Sequence, residues 1–116
     1  MRIIEKPIED PPNGVYSVVK EFAIAEVEFL WINYLQNEFP DEWDAMHQPG
    51  LSSVADGAVR LWLMKRYPAM YTWLEEQHVD WIGLTREEYF GHDLHETICI
   101  RMHREQDLTA FRLTWC

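Results

Sequence analysis

The residue types best suited to chemistry in this chain are gathered in one short segment of its last quarter. His92, Asp93 and His95 lie within four positions of one another and are followed by Glu96. Zinc takes imidazole nitrogens and carboxylate oxygens as ligands in tetrahedral sites. The segment lacks the H-E-x-x-H spacing of helical metalloproteases, and a loop that runs into a strand does not fix ligand direction. We therefore keep His92, Asp93 and His95 only as weak candidate metal ligands and expect no cofactor.

Cys99 is a second candidate for chemistry, because a cysteine near a histidine can act as a nucleophile. It lies in an alternating apolar run, however, where a buried cysteine behaves as a small hydrophobic side chain. No nucleophile elbow, phosphate-binding loop or glycine-rich dinucleotide motif occurs in the chain. The sequence therefore predicts a protein that is not an enzyme. A small metal-dependent enzyme that uses the histidine segment stays open as one alternative.

The strongest signal in the sequence is a block of negative charge. The chain has 20 acidic and 10 basic residues, a net charge of −10. Residues 1–58 carry 11 acids and 3 bases, whereas residues 59–116 carry 9 acids and 7 bases. No lysine or arginine occurs between Lys20 and Arg60. This interval contains eight carboxylates: Glu21, Glu26, Glu28, Glu38, Asp41, Glu42, Asp44 and Asp56.

Such a concentration of like charge predicts a surface that complements a positive one. Clustered carboxylates repel and reduce stability, whereas solubility alone requires only mixed charges. Acids that surround an exposed aromatic side chain can form a protein-binding hot spot. The alternative is a solvated acidic face with Trp43 tucked into the core. The predicted partner-binding residues are Glu21, Glu28, Trp31, Glu38, Asp41, Glu42, Trp43 and Asp44.

The charge also narrows the class of partner. A polyanion disfavours direct contact with nucleic acid and with anionic membranes, and it favours a protein with a basic surface. The carboxylates could imitate the phosphates of nucleic acid in a target's groove, or neutralise a basic toxin as an immunity protein does. Phage-encoded inhibitors of restriction and CRISPR enzymes, and bacterial immunity proteins, are often small and acidic. The similarity is one of size and charge, and we predict a non-enzymatic inhibitor or immunity-type protein.

The elements expected to position these residues form an α+β fold, one domain over residues 1–116, with a helical hairpin packed on a small antiparallel sheet. Apolar residues spaced by three, four and seven predict one long helix from Ser17 to Phe39, stopped by Pro40. A second apolar stripe lies beside the first and consists of Ile24, Val27, Trp31 and Tyr34. The helix is therefore apolar over much of its circumference, so an oligomeric structural or adaptor module, including a homodimer, is the alternative function. A second helical stretch is predicted from Ser52 or Ser53 to about Gln77, in which Pro68 either kinks the helix or opens a new one.

The last third of the chain is predicted to contain the sheet. Alternating runs at 98–103 and 109–115, around a polar turn, predict a C-terminal β-hairpin, and Ile3 and Ile4 could supply a third strand. Residues 85–88 match a capping box and predict a one-turn helix that ends at Gly91. Cys99 and Cys116 are expected to be free thiols. With no apolar run typical of a signal peptide or membrane span, the sequence predicts a cytoplasmic protein.

Overall fold

The structure, a computed structural model, describes residues 3–6, 20–28, 30–47 and 53–116. Within these residues no helix has the length and apolar character needed to span a bilayer. The strands are β1 Ile4–Lys6, β2 Lys20–Val27, β3 Trp81–Phe90 and β4 Asp93–Met102. The helices are α1 Trp31–Glu38, α2 Pro40–Met46, α3 Val54–Arg66, α4 Pro68–Glu76 and α5 Glu105–Trp115.

The four strands form one antiparallel sheet in the order β1-β2-β4-β3. β3 and β4 form a hairpin with a two-residue turn at Gly91 and His92, and Gly91 has a φ of 68°, which glycine adopts at little steric cost. Side chains alternate across a strand, so every second residue of β4 faces the helices. The prediction of an α+β fold, with helices on an antiparallel sheet that contains a hairpin in its C-terminal half, is confirmed.

The core lies between this sheet and the helices. Phe22 of β2 contacts Phe111 of α5, with ring centroids 4.6 Å apart. α3 approaches β3 closely at Gly83, where an added Cβ would lie 2.6 Å from the Cβ of Val59. Glycine at this position therefore permits the contact between helix and strand. The largest fully buried side chains include Leu35, Leu61, Leu63, Met70, Leu74, Ile98, Ile100 and Met102.

The prediction of one long first helix is wrong. Its first half is β2, which pairs with β1 on one side and β4 on the other. Residues 21–24 are all buried, and a strand covered on both faces has a continuous apolar sequence that periodicity does not separate from a helix. Only α1, from Trp31 to Glu38, is helical, and residues 17–19 lie outside the described part of the chain.

The predicted position of the hairpin is also wrong. Residues 105–115 form α5 instead of a strand, because Leu108, Phe111 and Trp115 make a helical stripe against the core. Leu113, which the alternating pattern placed beside them, is 81% exposed. β4 pairs instead with β3, so the capping-box match at 85–88 lies in a strand and not in a helix.

The second helical stretch is confirmed with a break before Pro68, between α3 and α4. α3 begins after Ser53, whose Oγ accepts a hydrogen bond from the Asp56 backbone N at 3.2 Å. The prediction of a strand near Ile3 and Ile4 is confirmed by β1. Both cysteines are free thiols, with Cys99 buried and Cys116 exposed.

Candidate functional site: an acidic surface on two short helices

Glu21 does not lie on a binding surface. It is 3% exposed in β2, and Arg86 donates to its two carboxylate oxygens from Nη2 and Nε at 2.7 and 3.0 Å. Arg101 Nη2 adds a third hydrogen bond at 3.2 Å. Burial raises the pKa of Glu21, but the hydrogen bonds and charges of the two arginines outweigh it and hold the pKa below its ordinary value. The prediction that Glu21 contacts a partner is wrong, because the residue stabilises the sheet.

Asp56 is likewise internal, with 2% exposure. Its Oδ1 accepts a hydrogen bond from the backbone N of Gly83 at 2.7 Å, and its Oδ2 accepts one from Arg60 Nε at 2.9 Å. Arg60 also donates from Nη2 to the carbonyl oxygen of Trp81 at 2.8 Å, and its guanidinium carbon lies 4.0 Å from the centre of the Trp81 ring. Asp56 and Arg60 therefore fasten α3 to the start of β3.

The two tryptophans of the predicted surface are largely taken up by the core. Trp31 is 8% exposed, and its indole nitrogen donates to the carboxylate of Glu96, so the prediction that it contacts a partner is wrong. Trp43 is partly buried against the core and stacks on His47, with ring centroids 4.1 Å apart. Its surroundings agree with the alternative in which Trp43 belongs mainly to the interior.

A smaller set of carboxylates remains exposed, on α1 and α2. Glu38, Asp41 and Asp44 are exposed, whereas Glu42 is partly covered and pairs with Lys65 at 2.8 Å. In the part of the chain that the structure describes, neither Glu38 nor Asp41 has a cationic partner. Asp41 and Glu42 lie in the first turn of α2, where the positive end of the helix dipole stabilises negative charge.

An exposed aromatic side chain accompanies these acids, and it is Tyr34. Tyr34 is 60% exposed and Leu30 is 55% exposed. Tyr34 and Glu38 are four residues apart, which places them on one face of α1, and Leu30 immediately precedes this helix. Tyr34 was not among the predicted contact residues because its spacing from Trp31 assigned it to an apolar stripe of the predicted helix; its four-residue spacing from Glu38 is the signal that could have found it. We call Leu30, Tyr34, Glu38, Asp41 and Asp44 the α1–α2 acidic surface.

Glu28 and the histidine segment lie elsewhere, around a shallow cleft of about 570 Å³ at the β3–β4 turn. His95 contacts the Glu26 carboxylate, so this pair is already engaged. Among the residues described, no three or more histidine, cysteine or acidic side chains are arranged to hold a metal ion. The candidate ligands His92, Asp93 and His95 therefore gain no geometric support. The cleft is lined by Glu26, Val27, Glu28, His92, Asp93, Leu94 and His95.

The apolar helix face that would have joined an oligomer is not present as the sequence predicted it. Phe22 and Ile24 lie in β2, and Trp31 and Leu35 turn inward from α1; all four are buried. The apolar pattern between residues 20 and 39 is explained mainly by the core. Tyr34 on α1 and Leu30, which immediately precedes this helix, remain exposed.

Comparisons with known proteins assign no family to the chain. No protein-family model matches it, and searches of curated proteins and of solved structures gave no match either. We therefore draw its function from the charge and geometry of its own residues.

Proposed function

We propose that this chain is a non-enzymatic acidic binding protein, of the inhibitor or immunity type, that covers a basic surface of a protein target. The α1–α2 acidic surface is the proposed contact. One observation carries the proposal: Glu38, on the same face of α1 as Tyr34, and Asp41, in the first turn of α2, are exposed and, within the described residues, have no cationic partner. Compared with the residues predicted from the sequence, this surface omits Glu21, Glu28 and Trp31, adds Leu30 and Tyr34, and leaves Glu42 and Trp43 at its border.

The distribution of basic residues supports this choice of surface. Arg60, Arg86, Arg101 and Arg104 each pair with a buried acid, and Lys65 pairs with Glu42. The sequence between Lys20 and Arg60 contains no lysine or arginine that could neutralise the acids of α1 and α2. Neighbouring like charges on helices reduce stability by about 0.2–0.5 kcal/mol per pair. A basic partner would remove that repulsion and gain favourable charge pairs, which also speed association.

Tyr34 supplies what the acids alone lack, a large apolar contact with a polar tip. Aromatic side chains near the centre of an interface commonly provide much of the binding free energy. A target that fits would place lysine or arginine opposite Glu38, Asp41 and Asp44 and an apolar pocket opposite Tyr34. The basic surface could be the nucleic-acid groove of an enzyme or the surface of a toxin. We place the encounter in the cytoplasm, where the free thiols Cys99 and Cys116 would stay reduced.

The test is affinity capture from the native host with three versions of the chain, followed by mass spectrometry. The first is the unchanged protein, and the second carries Glu38→Lys, Asp41→Lys and Asp44→Lys. The third is a matched control with the same change in net charge on exposed acids elsewhere: Glu76→Lys, Asp93→Lys and Glu105→Lys.

We expect a basic protein that the unchanged chain and the control both enrich, and that the α1–α2 variant does not. The purified pair should then associate more slowly as salt rises, because exposed charges are screened over about 8 Å at physiological ionic strength. If the α1–α2 variant retains the partner, or if the control loses it equally, the proposed surface is wrong. Circular dichroism of the three proteins checks that each variant is folded.

A further inference from the structure

β3 lies at an edge of the sheet. Every second residue of β3 points its backbone N–H and C=O groups away from β4, toward the open side. The two-residue turn makes Phe90 and Asp93 a hydrogen-bonded pair, so the bonded pairs recur at every second residue. Trp81, Gly83, Thr85, Glu87 and Tyr89 consequently point their N–H and C=O groups outward. Two observed contacts agree: Gly83 N donates to Asp56 at 2.7 Å, and the Trp81 carbonyl accepts from Arg60 at 2.8 Å.

α3 covers only the first half of this edge. Asp56 and Arg60 satisfy the outward groups of Gly83 and Trp81, but no described residue bonds to the outward backbone groups of Thr85, Glu87 or Tyr89. Tyr89 is 72% exposed, and Glu87 is exposed as well. A row of unpaired backbone donors and acceptors is a template for another strand. We call residues 85–89 the open edge.

A second copy of the chain is a poor occupant of the open edge. In a symmetric antiparallel pair, the residue on the twofold axis lies opposite its own copy. Only residues 85, 87 and 89 have outward backbone groups that are available for pairing. If at least three residues of each copy are to pair, the central residue must therefore be Arg86, Glu87 or Glu88. The longest of these pairings, centred on Glu87, places two carboxylates directly opposite each other, which is destabilising, and the other two pair only three residues.

We infer that the open edge binds an extended segment of another protein that carries lysine or arginine opposite Glu87 and Glu88. The segment would add to the sheet as an antiparallel fifth strand, with backbone hydrogen bonds to Thr85, Glu87 and Tyr89. The positive charge of Arg86 does not repel the basic side chains of such a ligand, because its guanidinium pairs with the carboxylate of Glu21. This inference is independent of the α1–α2 acidic surface.

The test is a nuclear magnetic resonance titration of the whole ¹⁵N-labelled chain with two capped peptides. One peptide is Thr-Val-Lys-Lys-Thr-Val-Thr, which places its lysines opposite Glu88 and Glu87 in antiparallel register, and the other has glutamate in place of both lysines. We expect the lysine peptide to shift the amide signals of Thr85, Glu87 and Tyr89, which form the new hydrogen bonds. The glutamate peptide should bind about tenfold more weakly, because two attractive cross-strand pairs become repulsive.

Two variants make the result specific. Glu87→Pro removes an outward donor that does not bond to β4, so the ladder is kept and the lysine peptide should no longer bind. If that variant is unfolded, Glu87→Lys with Glu88→Lys decides, because it leaves the backbone unchanged and should make the glutamate peptide the tighter ligand. The α1–α2 lysine variant should bind the lysine peptide normally, which separates this inference from the proposed function.

Absence of shifts at Thr85, Glu87 and Tyr89 would overturn the inference, as would equal binding of the two peptides. The charges of the open edge would then serve only to keep other strands away. Retained peptide binding by a folded Glu87→Pro variant would contradict the proposed hydrogen bonds as well.

Discussion

The buried carboxylates and the exposed carboxylates Glu38 and Asp41 differ in whether an arginine side chain contacts them. Glu21, Asp56 and Asp107 are at most 5% exposed, and each one contacts a guanidinium. Glu38 and Asp41 are exposed and, within the residues described, have no such contact. Burying a charge without a partner costs several kcal/mol, so the interior acids require their arginines, whereas water can solvate the others. The comparison shows that negative charge serves two purposes in this chain.

The interior pairs also share a structural task, because each joins elements that are distant in sequence. Glu21 connects β2 to β3 and β4, Asp56 connects α3 to β3, and Asp107 connects α5 to the segment before β3 by accepting from the Asp80 backbone N at 3.2 Å. The second half of the chain supplies all of the arginines in these pairs. Part of the sequence's charge asymmetry is therefore cancelled by folding, and Glu38 and Asp41 on α1 and α2 are among the carboxylates that remain exposed.

The largest expected effect comes from breaking an interior pair. Asp56→Ala leaves Arg60 without its closest carboxylate and the Gly83 backbone N without an acceptor, so the free energy of unfolding should fall by about 3–5 kcal/mol. Asp41→Ala on α2 is the matched control and should change it by no more than about 0.5 kcal/mol. Urea unfolding followed by circular dichroism measures both. Equal losses in the two variants would remove the distinction between the regions.

A smaller effect, with a defined pH dependence, is expected at Glu21. Glu21→Gln keeps the shape but removes the charge that Arg86 and Arg101 require, at a cost of about 1–3 kcal/mol near neutral pH. The folded pKa of Glu21 lies below its ordinary value of 4.5, so its pairing stabilises the fold fully above pH 4.5. That stabilisation is lost as pH falls through the folded pKa.

The difference in unfolding free energy between the unchanged protein and Glu21→Gln should therefore be constant from neutral pH down to about 4.5 and shrink below it. Unfolding by urea at a series of pH values measures this difference. A difference that grew as the pH fell would have the opposite sign and would contradict the pairing.

The smallest effect is expected at the partly exposed pair of Lys65 and Glu42. Lys65 pairs with Glu42 at 2.8 Å and lies 4.4 Å from the centre of the Phe39 ring, but both charged side chains are partly exposed. Lys65→Met keeps most of the aliphatic contact and should lower the unfolding free energy by less than about 1 kcal/mol. The same change adds Glu42 to the unneutralised acids, so it should slightly tighten binding to a basic partner. Thermal unfolding and titration calorimetry would detect the two changes, and weaker partner binding would count against the α1–α2 acidic surface.

The sequence was sufficient for the fold class and for the break at Pro68, because turn and cap residues act locally. It failed at β2 and α5, where the outcome depends on pairing with distant segments. Phe22 and Ile24 fit a helical stripe as well as a buried strand, and only the pairing with β1 and β4 decides between them. Thr109 to Trp115 alternates in polarity, but the packing of Phe111 on Phe22 selects a helix.

The sequence predicted the acidic residues of the candidate site but not its exposed aromatic residue, Tyr34. An interval without bases identified Glu38, Asp41 and Asp44, which remain exposed. No local pattern could show that Arg86 and Arg101 would reach Glu21, since these residues are 65 and 80 positions away. Tyr34 was missed for the same reason that β2 was missed. The predicted helix included the residues of β2, and its apolar periodicity then placed Tyr34 among the apolar residues of a stripe.

One variant tests most directly whether the exposed acids serve binding and not folding. Glu38→Gln, Asp41→Asn and Asp44→Asn remove three charges with little change of shape, and both the unfolding free energy and the Kd for the captured basic partner are measured. We predict an unfolding free energy within about 1 kcal/mol of the unchanged protein, and a Kd raised by about a hundredfold. A destabilised variant that binds the partner as tightly as before would contradict the account.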